Sequence, residues 1–140
     1  RGSASDEFEL ARCALARPGD ESGLSPFIHF ALAAADEAMS GWSPRDPAEM
    51  ERAGVAIGSG IGSLTDIVEA SAILSRRGHR RVSPHFIPKM LVNMAAGQVS
   101  IRTGLQGPSA SPSTACATGV HALSDALQLV RRGAADVMLA

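Results

Sequence analysis

Gly54-Val55-Ala56-Ile57-Gly58-Ser59-Gly60-Ile61-Gly62-Ser63 is the stretch that sets the fold. Val55-Ala56-Ile57 is a short apolar run bounded by glycines, the pattern of a buried, parallel strand. The glycine-rich loop follows. Leu64 to Leu74 then has helical spacing, with Leu64, Ile67, Val68 and Ser71 on one face. A strand, a glycine turn and a helix in this order also suit a dinucleotide fingerprint. That reading needs a third glycine where Ser63 stands, and an acidic residue about 20 residues on. The chain has a basic turn there instead. The remaining reading is a tight turn where another element passes close to the backbone.

Working outward, Pro26 to Met39 reads as a helix, with Ser25 at the N-cap and Pro26 at the first helical position. Its apolar residues run almost all the way round, which predicts burial on most sides. Residues 43–53 read as a charged connection and 82–88 as an extended loop. Lys89 to Arg102 reads as one helix stopped by Gly104, and Ala117 to Arg132 as another stopped by Gly133. Ser109 to Thr114 and Ala135 to Leu139 read as strands. The alternation predicts an α/β fold. Residues 1–24 read as a weakly ordered segment with a short helix over Phe8–Ala16, and residues 25–140 as the folded unit.

The composition fits an incomplete or assembled unit. The 140 residues include 24 Ala and 14 Gly against one Trp, no Tyr and four Phe, which predicts closely packed backbones. Charged residues are 19%, below the usual quarter. A small independent domain shows more charge, because most of its residues touch water. The net charge of −1 argues against a nucleic-acid binder. No apolar run approaches the roughly 18 residues of a membrane span. Cys13 and Cys116 are no disulfide framework, so a reducing compartment is expected.

Ser113-Thr114-Ala115-Cys116-Ala117-Thr118-Gly119 carries the chemistry. A lone Cys among small residues stands between a strand and a helix. A helix N-terminus favours the thiolate and offers unpaired N–H groups to an oxyanion. A buried, inert thiol fits the same spacing, so the residues alone leave both readings open. His121, five residues on, faces elsewhere on a helix and reads as a packed or capped histidine. His29 reads as structural, and His79 and His85 as loop residues. No His and Cys pair has metal-ligand spacing, so no metal is expected. Cys13 reads as a passive thiol. Arg76-Arg77-Gly78-His79-Arg80-Arg81 is either a solvated loop or a docking patch for an acidic partner.

These residues together resemble the β-ketoacyl-[acyl-carrier-protein] synthases, elongating condensing enzymes with the thiolase-like fold. The Ala115–His121 segment is similar to their nucleophile segment, and Gly54–Gly62 to their strand and glycine turn. Ser83–Pro88, Val92–Gly97, Gly104–Ser109 and Gly133–Met138 match in order, so the resemblance covers about residues 25–140. It implies the incomplete N-terminal half of such a domain, a buried parallel or mixed sheet with helices on both faces. Cys116 would be the acyl-accepting nucleophile, its own N–H half of an oxyanion hole. Ile61 would gate the acyl pocket, and Phe86 and Ile87 would reach into the partner subunit's pocket. Arg80 and Arg81 would dock the acyl carrier protein.

The resemblance further implies a homodimer in which the strand before Cys116 pairs with its copy, and no cofactor. Two histidines and a lysine of the family's machinery would follow Ala140, and its first strand would precede residue 1, so these residues alone are expected to be inactive. Ser25 stands where an acidic residue is common. A polyketide ketosynthase and a non-catalytic oligomerisation fragment are the alternatives. The compartment would be cytoplasm in a bacterium, and a mitochondrion or plastid in a eukaryote.

Overall fold

The computed structural model describes residues 24–42 and 46–140. The reading of residues 1–23, with the Phe8–Ala16 helix and Cys13, lies outside the described residues. Helix α1 (Pro26–Met39) and the short α2 (Pro47–Glu51) lead into strand β1 (Ala53–Ala56). Helix α3 (Leu64–Arg77) follows the glycine turn. A 3-10 turn over His79–Arg81 leads to the short α4 (Phe86–Met90) and then α5 (Met94–Thr103). Strand β2 (Ser109–Ala110), a 3-10 turn over Ala115–Ala117, helix α6 (Thr118–Arg131) and strand β3 (Val137–Leu139) complete the order.

The described strands form one sheet, ordered β2-β1-β3, with both pairings parallel. Val55 lies opposite Ser109 on one side and Leu139 on the other. Alternation along β1 then decides what covers each face. Ala53 and Val55 face α1 and α5, in a core with Ile28, Leu32, Ala35, Ala96 and Val99. Ala56 faces α6, against Ala122 and Ala126. Helices therefore lie on both faces, as the α/β reading expects. The buried residues on the α6 side are alanines, with Met138 packed against them, so that helix lies close to the strand.

Two glycines make the turn after β1 possible. A Cβ on Gly58 would stand 2.0 Å from the Pro112 carbonyl oxygen, so the chain after β2 runs directly against it. Gly62 has φ +79°, and a Cβ there would meet the Met90 carbonyl oxygen at 2.1 Å. This is the close backbone approach expected of the glycine run.

The structure corrects several local readings. The helix read over 89–102 is two helices, because Leu91 is extended (ψ 133°) where the chain steps past the glycine turn. Helix α4 begins at Phe86, inside the stretch read as an extended loop, and α2 lies inside the connection read over 43–53. Strand β2 is two residues long, since Pro112 has no N–H to continue the ladder. Helix α1 has the limits read from sequence but is buried on one face only, through Ile28, Leu32 and Ala35. Phe30 on the same helix is 52% exposed. Helix α3 has no buried residue and packs mainly on α4 and the His79–Arg81 turn.

Candidate active site

Cys116 is an exposed free cysteine in the 3-10 turn that opens into α6. Ala115, immediately before it, has φ +52°, the one positive φ at a non-glycine among the described residues. Left-handed backbone costs a side-chain-bearing residue about 1–2 kcal/mol. The surroundings hold it in place. Thr118, nearly buried, donates its hydroxyl to the Ala115 carbonyl at 2.7 Å and accepts from the Thr114 N–H at 2.9 Å. The Ala117 N–H donates to the Thr114 carbonyl at 3.1 Å. One threonine thus closes the turn from inside, and the cysteine is presented outward.

The glycine turn lies against this segment. A Cβ on Gly60 would sit 3.5 Å from Ala115 Cα, ordinary contact distance, and Ser113 Oγ lies 3.4 Å from the Gly60 carbonyl. Ile61, the next residue, is 67% exposed. On its other side the turn meets α4 through Gly62 and Met90. These contacts place the Cys116 segment beside the glycine turn, and the glycine turn beside the helix bearing Phe86 and Ile87. Phe86 is half-buried and Ile87 is exposed. Ser111 Oγ donates to the Val92 carbonyl at 3.2 Å and links the segment after β2 to the one after α4.

Arg80 and Arg81 are exposed in the 3-10 turn, with Arg76 and Arg77 at the adjoining end of α3. The four arginines form one basic cluster between α3 and α4. His121 is exposed and does not face a core: its Nδ1 lies 2.6 Å from Thr114 Oγ1, which corrects its reading as a packed histidine. His29 Nε2 is 3.2 Å from the Leu24 carbonyl, a structural contact. Among the described residues no three His, Cys, Asp or Glu side chains are grouped to hold a metal ion. No described helix is long and apolar enough to cross a membrane.

Sequence reasoning missed a polar joint at the starts of α1 and α3. Ser25 stands at the N-cap of α1 but does not cap it. Its hydroxyl reaches the Asp66 carboxylate, and lies 2.7 Å from the Lys89 carbonyl. Ser63 caps α3 and also donates to Asp66. Burial pushes the Asp66 carboxyl up, but the Ser25 and Ser63 hydroxyls and the Lys89 charge outweigh it and hold it below its ordinary value. The signal was present as Ser63-x-x-Asp66, a capping pattern at the helix start.

A family model described as "Beta-ketoacyl synthase, N-terminal domain" matches residues 13–140. The chain is 50% identical over 123 residues to a mitochondrial 3-oxoacyl-[acyl-carrier-protein] synthase of Arabidopsis thaliana, covering 86% of this chain and 27% of that protein. It is 51% identical over 125 residues to 3-oxoacyl-[acyl-carrier-protein] synthase 2 of Rhizobium meliloti, covering 88% of this chain and 30% of that one. The crystal structure of a β-ketoacyl synthase from Burkholderia phymatum superposes with a TM-score of 0.71 at 26% identity, over 86% of this chain and 31% of that one. The chain thus spans under a third of the length of these curated relatives.

Proposed function

We propose, for a chain that belongs to the β-ketoacyl synthase family and has its thiolase-like α/β fold, that it supplies the nucleophile half of a condensing enzyme that elongates fatty acyl chains. The observation that carries this reading is Cys116, an exposed thiol held at a helix start by a strained turn. In this reading the Cys116 sulfur attacks the thioester carbonyl of an acyl-loaded carrier. The carbonyl oxygen becomes an oxyanion, for which the Cys116 N–H is one donor. The carrier leaves as a thiol, and the acyl group stays on sulfur as a new thioester.

Condensation then consumes a malonyl-loaded carrier. Loss of carbon dioxide leaves a carbanion, which attacks the Cys116 thioester carbonyl. The cysteine leaves as thiolate, and the ketoacyl product, two carbons longer, stays on the second carrier. The names of the relatives support an acyl carrier protein as the partner. The exposed Arg80 and Arg81 suit an acidic carrier. Ile61 would gate the acyl pocket, and Phe86 and Ile87 would line the pocket of a partner subunit.

A homodimer is supported by β2, which among the described residues has β1 on one side and an open edge on the other. The exposed Val120, Leu123, Leu127 and Val130 of α6 support burial against a second copy or further chain. Residues 25–140 would be one part of the catalytic domain. The relatives include bacterial and mitochondrial proteins, so the compartment would follow the source organism.

Alkylation tests the nucleophile. In the intact protein, iodoacetamide should label Cys116 faster than it labels a free cysteine thiol, and bound acyl carrier should slow the reaction. Labelling no faster than the free thiol would favour the non-catalytic alternative.

A further inference from the structure

Helix α4 cannot hold itself in place. It has five residues, contains Pro88, and buries no side chain. A helix this short has no stability of its own, so its position is imposed from outside. Packing against α3 supplies part of this, and two specific contacts add to it. One is the close approach of Gly62 to the Met90 carbonyl. The other is the joint built on Ser25 and Asp66.

The joint is unusual chemistry for a helix start. Ser25 is 1% exposed and Ser63 is 5% exposed, and burying hydroxyls without an acceptor is costly. Both hydroxyls find the same carboxylate, Asp66. Ser25 occupies a capping position, yet its hydroxyl is diverted from its own helix toward Asp66 and the Lys89 carbonyl. Lys89 also attracts Asp66 through its charge. With its one proton the Ser25 hydroxyl bonds either the Asp66 carboxylate or the Lys89 carbonyl, and together with the Lys89 charge it holds the starts of α1 and α3 beside the last turn of α4. That turn follows directly on Phe86 and Ile87, and Ser63 is two residues from Ile61.

We propose that Ser25 and Asp66 act together as positioning residues for the Phe86–Ile87 helix, and so set how long an acyl chain the site accepts. The second half of this statement rests on the condensing-enzyme reading. A chain that must fill a long pocket depends on where α4 stands, and a short chain depends on it little.

The test compares Ser25→Ala, Asp66→Ala and the double variant in the intact protein, with Val99→Ala as a control that loosens the buried core without removing any of the joint's hydrogen-bonding groups. One readout is acyl transfer to Cys116 from long and short acyl carriers, as a ratio of kcat/KM. The other is hydrogen exchange at the Lys89 and Leu91 amides, which bond within this segment. Each single variant should lower the long-to-short ratio and speed this exchange by about five-fold, the scale of one lost hydrogen bond. The double variant should add little, because the two residues work as one unit. Val99→Ala should lower Tm and leave the ratio alone. An unchanged ratio in both single variants, or an equal fall in Val99→Ala, would overturn the proposal. If the wild type takes no acyl group, the condensing reading fails. The exchange comparison then decides alone whether the joint holds α4.

Discussion

The two faces of the sheet are built differently. On one face α1 and α5 bring Ile28, Leu32 and Val99 onto Ala53 and Val55, and these side chains are almost wholly removed from water. On the other, α6 meets the sheet through Ala122 and Ala126, and its larger residues Val120, Leu123, Leu127 and Val130 stay exposed. The first face is scaffold, held by ordinary apolar burial. The second carries the cysteine turn at its head and an uncovered apolar flank along its side. On the proposed reading, stability and chemistry lie on opposite sides of a thin sheet, and substitutions on the two sides should fail in different ways.

The largest effect belongs to the reactive side. Cys116→Ala should reduce ketoacyl formation on the order of 10⁴-fold or more. Its Tm should stay near that of the wild type, because the side chain is exposed. A steady-state assay with a melting curve checks both halves. On the scaffold side the pattern inverts. Ile28→Ala should cost about 3 kcal/mol of stability, seen as a lower denaturant midpoint, while the alkylation rate of Cys116 in the folded fraction is unchanged.

The remaining contrasts are smaller. Arg80→Glu with Arg81→Glu should raise the KM for the acyl carrier about ten-fold at low salt, and added salt should narrow the gap to wild type. An equal loss with a small uncharged acyl thioester would remove the docking role. Asp66 gives the smallest, pH-dependent effect. Its carboxyl is held below the ordinary value in the fold. The stability it adds is thus fully present above about pH 4 and fades as pH falls through its folded value. Against Asp66→Asn, the wild type should be the more stable near neutrality, and the difference should shrink in acid. A difference that widened in acid would reverse that sign.

Much of the fold was legible because it rests on local signals. Pro26 and the apolar run after it mark α1, and Gly104 marks the end of α5 with a left-handed turn at φ +76°. The glycine turn announced a close approach, and Gly58 and Gly62 have one. What escaped depends on distant partners. The break at Leu91 follows from the passage of the glycine turn, more than twenty residues away in the chain. The one-sided burial of α1 follows from what packs on it, not from its own pattern. Cys116 was legible as a candidate from its small neighbours. The strain at Ala115 is held by a clasp of residues within four positions of one another, but that clasp is a matter of backbone conformation, which composition and spacing do not signal. The joint at Asp66 joins residues 41 positions apart, and only the fold brings them together.

The central claim is that Cys116 accepts an acyl group. The most direct measurement is to incubate the intact protein with acyl-loaded carrier and locate the added mass by peptide mapping. An acyl thioester on the peptide containing Cys116, absent from Cys116→Ala, is the predicted result. No acyl adduct, or an adduct carried by Cys13 instead, would contradict it.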